Sequence, residues 1–367
     1  MLLTILVFVV MLSVLVLIHE LGHFISAKRF GIKVEEFGFG FPPRVFGKKY
    51  GETLYSINLL PIGGFVKLYG EDEAGSGKVS KTKTVTKDLH RAFFAKPAWQ
   101  RIVVVTAGVV MNFLLAVIIA TYLLSTQGIP KDTQTVVVSA VDQGAPAEIA
   151  GLKKGDVIKS VDSTFVTDTS TIISITNEKK GEELSLVILR GEQEIPVTLI
   201  PRENPPEGQG AMGVAIDQNI ILQKYPFPVS ILYAFRQAAQ DTVLVVKGFA
   251  DVIKTLVTSF TVPEGVAGPV GMAQLTGEFV EIGPNAVLAL VYMLSLSLAV
   301  LNILPIPALD GGRLLFIIIE LVTRRKVNPK YESYAHLVGI ILLLSFLAFI
   351  SFKDVGRIIS GQSFLPY

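Results

Sequence analysis

The chain has 367 residues, half of them hydrophobic and only 17% charged, with a mean hydropathy of +0.55. That is too apolar for one soluble domain and fits membrane spans separated by a polar domain. There is no cysteine, which excludes disulfides and thiolate metal sites, and the net charge of +2 says little until its distribution is read.

Residues 1–18 carry no charge at all. Residues 1–27 read as a first transmembrane span and not as a cleaved signal, because no basic start and no small-residue cleavage pattern accompany the apolar run. Near its end stands Val16-Leu17-Ile18-His19-Glu20-Leu21-Gly22-His23. On a helix, His19 and His23 project from one face and can reach one metal ion. Glu20 lies beside that face, where a carboxylate can take a proton from water at the metal. Ionisable groups inside a membrane helix are costly and mark a functional site by default.

Three further spans follow: 102–125, 286–308 with a closing motif that runs to 312, and 335–352. The loop 28–97 has 13 Lys+Arg against 7 Asp+Glu, whereas 127–285 has 12 against 19. Lys and Arg gather on the cytoplasmic side. Region 28–101 and segment 311–334 are therefore expected in the cytoplasm, with 127–285 and both chain ends outside. The two motif-bearing span ends then lie at similar depth.

The first loop carries Gly38-Phe39-Gly40-Phe41-Pro42-Pro43 and then Pro61-Ile62-Gly63-Gly64-Phe65-Val66-Lys67-Leu68. Residues 54–68 read as a β-hairpin too apolar for solvent. Non-helical backbone at membrane depth is tolerated where protein or water covers it, so a re-entrant hairpin beside the histidines is expected. Gly63 and Gly64 set its turn. Phe65 to Leu68 offer an edge, and the Val66 amide is a candidate donor to an extended peptide. Residues 71–91 are polar, and His90 reads as a surface histidine.

Residues 127–217 form a separate β-rich unit. A strand at Thr135–Val141, a short helix near Pro146 and the turn Lys153-Lys154-Gly155-Asp156 resemble a PDZ domain. Its glycine loop comes last, in Gly208-Gln209-Gly210-Ala211-Met212-Gly213-Val214, the circularly permuted bacterial arrangement. The resemblance implies a peptide groove at Met212, Gly213 and Val214, beside a helix near 169–177, that takes exposed peptide ends. Residues 218–285 read as one or two amphipathic helices followed by a turn-rich linker through Gly268-Pro269-Val270-Gly271. Charges at Arg236, Asp241, Lys247, Asp251 and Lys254 argue against a fifth crossing. Residues 353–367 are an outside tail.

The third span ends Asn302-Ile303-Leu304-Pro305-Ile306-Pro307-Ala308-Leu309-Asp310-Gly311-Gly312. Two prolines at this spacing must unwind the helix. Asp310 then opens a new helix, either as its cap or as an oxygen ligand that completes a His₂–carboxylate set.

HELGH in a membrane span, the Pro-Ile-Gly-Gly-Phe-Val-Lys hairpin, a PDZ unit, Gly-Pro-Val-Gly and Asn-Ile-Leu-Pro-Ile-Pro-Ala-Leu-Asp-Gly-Gly together resemble the site-2 protease family of intramembrane zinc metalloproteases. Within it they resemble the bacterial regulator-of-sigma-E protease group. The resemblance covers nearly the whole chain. It implies that His19, His23 and Asp310 hold Zn²⁺, that Glu20 is the catalytic base, and that Asn302, Pro305 and Pro307 help hold a substrate strand. The implied fold is a polytopic α-helical membrane protein of four transmembrane helices, with a re-entrant β-hairpin and an inserted extracytoplasmic PDZ domain. The implied location is the bacterial cell membrane. The implied partners are the lipid bilayer and single-pass membrane proteins, such as anti-sigma factors or remnant signal peptides, and no nucleic acid. Some members carry two PDZ units; one is found here. A silent peptide receptor would have no need of a buried Glu20. A metal transporter would need more intramembrane acids than Glu320.

Overall fold

The computed structural model of the chain describes residues 2–71, 88–206, 208–259, 261, 263, 266–325 and 327–360. The polar stretch expected at 71–91, the linker around 262–265 and the end of the tail lie largely outside the described residues. The elements run α1 (Leu2–Arg29), β1 (Val34–Tyr50), β2 (Thr53–Leu68), α2 (Ala98–Thr126), β3 (Ile129–Val141), α3 (Pro146–Ile149), β4 (Val157–Val161), β5 (Thr164–Phe165), α4 (Thr169–Glu178), β6 (Leu184–Arg190), β7 (Gln193–Leu199), β8 (Val214–Gln223), α5 (Val229–Ser259), α6 (Pro269–Ile282), α7 (Pro284–Ile303), α8 (Asp310–Thr323) and α9 (Pro329–Ile359). They divide into two compact units, Met1–Leu123 with Pro226–Tyr367, and Leu124–Tyr225.

In the first unit, four helices among the described residues are long and apolar enough to cross a membrane: α1, α2, α7 and α9. This makes the chain a multi-pass membrane protein and matches the number of expected spans. The helix α1 ends where Gly31 takes φ +68°, with Ile32 N–H on Ala27 O and Gly31 N–H on Lys28 O. Those two bonds satisfy the last orphan carbonyls of the helix, and Lys28 and Arg29 complement its dipole. Glu52 at the hairpin tip binds both Lys28 (2.8 Å) and Arg91 (2.7 Å). The Arg91 guanidinium, helped by Lys28, holds the Glu52 carboxyl down at about 2.

The strands β1 and β2 are each bent, β1 near Pro42-Pro43 and β2 near Pro61. Residues 34–39 therefore pair with 64–68 on one side and with 54–57 on the other, while 44–50 pair back onto 53–58. The segment 64–68 is left as a sheet edge. It lies along α1: Ser13 Oγ donates to Pro61 O at 2.8 Å, and Gly63 and Gly64 sit against Val16 and Leu17.

The expectation of one or two amphipathic helices after residue 218 resolves into a single helix, α5. Tyr292 Oη of α7 donates to its Asp241 at 2.5 Å, and Phe235 stacks edge-on against Phe113 of α2 at 5.4 Å. The stretch read as a linker holds an unexpected helix, α6. Its start is capped from α9: Asp354, 1% exposed, accepts from Gly268 N–H (2.9 Å) and Gly271 N–H (2.8 Å). A side chain on Gly268 would collide with Asp354 and Ile350, which is why Gly-Pro-Val-Gly stands there.

The second unit is an antiparallel sheet in the order β7-β6-β4-β3-β8, with β5 paired to β4. Its core is Val136, Val138, Ile158, Ile172, Leu186, Ile188 and Met212. Asp168 caps α4 through Thr171 N–H at 2.8 Å. The edge strand β8 lies next to α4, where Gln218 Nε2 donates to Thr167 O at 2.8 Å. Met212 fills the core with its side chain and accepts from Ala147 N–H. Its side chain therefore faces the interior of the sheet unit.

Candidate metal centre

The site is built where α1, α2 and the start of α8 meet. The contact of α1 with α2 is set by glycine. A Cβ on Gly22 would stand 2.4 Å from Ala107 O, so the helices approach backbone to backbone. Gly108 then faces the imidazoles directly: a Cβ there would lie 2.5 Å from His23 Nε2 and 2.6 Å from His19 Cε1. The two rings occupy the volume that any other residue at 108 would fill.

The break after α7 delivers the third member. Leu304 turns extended, Pro305 and Pro307 keep the chain out of helix, and Ala308 takes φ +88°. His336 of α9 holds this loop, accepting from Ala308 N–H at 2.9 Å. Gly311 and Gly312 then let α8 restart against the break, since a Cβ on Gly311 would lie 1.9 Å from Leu304 O. The position preceding α8 is Leu309 and not Asp310, so the aspartate is no helix cap.

Asp310 Oδ2 lies 2.9 Å from His19 Nε2 and 3.2 Å from His23 Nε2, and the two Nε2 atoms are 3.1 Å apart. Both histidines are 7% exposed. His23 Nδ1 donates to Val104 O at 2.8 Å, which leaves the Nε2 lone pair toward the cluster. Two imidazole nitrogens and one carboxylate oxygen converging on one point, each with a free lone pair, are the donor set that suits Zn²⁺ with an open position. His19, His23 and Asp310 are thus brought together as expected.

Glu20 lies beside them, and its Oε2 accepts from Val66 N–H at 2.9 Å. The amide expected to meet a peptide therefore faces the acid of the motif. Asn302 at the end of α7 has its amide nitrogen 3.5 Å from His19 Nε2. Phe65 packs over Gly38, and a cavity of about 520 Å³ is lined by Glu20, His23, Val66, Asp310, Arg313 and His336. Arg313 pairs with Glu71, whose other oxygen accepts from Leu68 N–H at 3.3 Å. Met212, Gly213 and Val214 belong to the second unit. Glu320 is tied to Arg101 at 2.9 Å.

Gly108, Asn112 and His336 were not identified from sequence. Asn112 and His336 had a signal there, as a carboxamide and an imidazole inside apolar spans.

A family model described as peptidase family M50 matches residues 7–346. The chain belongs to peptidase family M50. This is the site-2 protease family that the motifs resemble, and the enzyme is a zinc metalloprotease. It is 29% identical to the regulator of sigma-W protease RasP of Bacillus subtilis, over 97% of this chain and 99% of that one. It is 30% identical to the zinc metalloprotease RasP of Bacillus licheniformis, again over 97% and 99% of the two chains. Among solved structures, the PDZ domain of an SdrC-like protein of Listeria monocytogenes aligns with 24% of this chain and 93% of its own, at 19% identity and a TM-score of 0.21.

Proposed function

We propose that this enzyme cuts single-pass membrane proteins inside their transmembrane segments, with His19, His23 and Asp310 as zinc ligands and Glu20 as the base. The observation that carries the reading is the location of the centre: His19 and His23 stand in the apolar helix α1 and meet Asp310 at the start of α8, with a sheet edge alongside whose Val66 amide touches Glu20. A zinc ion held by the three residues supplies Lewis acidity and makes a water acidic enough to attack near neutral pH. Glu20 takes the proton of the attacking water at its carboxylate and passes it to the leaving amide nitrogen. Val66 N–H orients that carboxylate.

The sheet edge at Gly63, Gly64, Phe65 and Val66 receives an unwound substrate segment as an added strand. The hairpin's contacts with Ser13, Val16 and Leu17 of α1 support a re-entrant position at membrane depth. Asn302, one residue from the end of α7, braces the peptide opposite the edge, and the Pro305–Pro307 break opens the space for it. The charge distribution supports 28–101 in the cytoplasm and the 127–217 unit outside, in a bacterial cell membrane. That unit is read as a circularly permuted PDZ domain whose β8 edge takes exposed peptide ends. The name of the B. subtilis relative points to sigma-factor signalling, so anti-sigma factors are the first substrate class to try, with remnant signal peptides second.

The deciding experiment is Glu20→Gln. Zinc content should stay at the wild-type level while cleavage of a model transmembrane substrate disappears. Near-normal cleavage by that variant would end the proposed mechanism.

A further inference from the structure

The centre has a second layer, and α2 supplies it. Residues 104, 108 and 112 stand one above another along one row of the helix. The Val104 carbonyl points along the helix toward its C-terminal end, and a helical side chain at 112 leans back toward the N-terminal end. Both converge on the gap at Gly108 that the imidazoles fill. Val104 O takes the Nδ1–H of His23 at 2.8 Å. The Asn112 carboxamide lies against Nδ1 of His19, its nitrogen at 3.4 Å. Asn112 is 0% exposed, and its Oδ1 is buried without a partner. Ser295 Oγ of α7 donates to its backbone carbonyl at 2.8 Å, which fixes the residue from a third helix.

These distances contain a contradiction that chemistry resolves. His19 turns Nε2 toward Asp310 at 2.9 Å and toward His23. For Nε2 to offer a lone pair to a metal, the ring's proton must sit on Nδ1. An amide nitrogen facing that N–H would set donor against donor while the buried oxygen goes unsatisfied. The oxygen and nitrogen of a carboxamide have nearly the same shape and differ by a half-turn. A half-turn about the side-chain amide removes both faults at once.

We propose that Asn112 presents Oδ1 to the Nδ1–H of His19 and is the positioning residue that fixes this ligand's tautomer and ring orientation. The α2 row would then provide one acceptor for each imidazole, a main-chain carbonyl for His23 and a carboxamide for His19. This inference rests on His19 being a zinc ligand. It goes beyond that assignment by giving a residue outside the ligand set a defined hydrogen-bonding role.

The test is zinc affinity, read by competition with a chelator on detergent-purified full-length protein, in wild type, Asn112→Leu, Asn112→Asp and His19→Ala. Loss of a partner behind a ligating histidine lowers metal affinity by about 10- to 100-fold. Asn112→Leu should show that loss. Asn112→Asp supplies only acceptor oxygens and should hold zinc at least as well as wild type. Wild-type affinity in Asn112→Leu, or a loss in folded Asn112→Asp equal to that in Asn112→Leu, overturns the proposal. Wild-type affinity in His19→Ala would instead refute the ligand assignment. A measurement on the unmutated protein covers the case in which a variant does not fold. The chain has four histidines, so nitrogen-15 spectra of histidine-labelled protein can be assigned with His19→Ala as the reference. His19 protonated at Nδ1 supports the role, and His19 protonated at Nε2 in the zinc-loaded protein overturns it.

Discussion

One absent methyl group decides whether α2 can reach the two imidazoles. At Gly108 the added carbon would stand 2.5 Å from His23 Nε2, closer than any real contact, and its neighbours are the ring atoms themselves. The rings cannot retreat freely, because His23 is held by Val104 O on one side and both face Asp310 on the other. Gly108→Ala should therefore displace a ligand. Overpacking of this kind costs about 1–3 kcal/mol, which corresponds to roughly ten- to hundredfold in zinc affinity if the strain falls on the site. Zinc content at limiting metal, compared with wild type, checks this. Full occupancy in Gly108→Ala would mean that α2 can shift away and that the cradle is not rigid.

At the scale of elements, the hairpin shows how far sequence reading goes and where it stops. The apolar composition of 54–68 and its Pro-Ile-Gly-Gly turn announced a β-element beside the histidines. They could not announce that 34–39 would pair on both sides, nor that the Val66 amide would face Glu20, because each depends on register between segments far apart in the chain. The HELGH spacing and Asp310 were legible because helical periodicity and ligand chemistry are local. The α6 helix was not, because its start is capped by Asp354 from α9 and its own Gly-Pro-Val-Gly reads as a turn. The Val66 amide permits a clean separation of backbone from side chain. Val66→Pro removes the donor to Glu20, whereas Val66→Ala keeps it. Val66→Pro should lose more than about 90% of turnover, given that a hydrogen bond to a charged group is worth roughly 1.5–3 kcal/mol. Val66→Ala should stay within a few-fold of wild type, and both should bind zinc normally. Equal turnover in the two variants would show that the amide does no catalytic work.

On the scale of the whole molecule, the centre imposes a condition on its substrate. His19 and His23, proposed as ligands, stand in the apolar helix α1, Asp310 opens α8, and the open edge beside them is a strand. A transmembrane helix arriving there has its carbonyls bonded within itself and covered by side chains, so neither the edge nor the attacking water can reach the peptide bond. The segment must first unwind over a few residues. If that unwinding precedes the chemistry, observed cleavage scales with the fraction of substrate already unwound. Replacing Ala by Gly in a helix interior costs about 1 kcal/mol, so each such change near the scissile bond should raise kcat/KM by about fivefold, and Pro should raise it further. The scissile residues themselves would be left unchanged, so that fit at the centre is constant across the series. Substrates differing only in these helix-weakening positions, cleaved by the same wild-type enzyme in the same lipid, give the measurement. Rates that stay flat across the series would mean that the enzyme unwinds its substrate without drawing on the helix's own instability, and the strand-edge account of binding would have to be replaced.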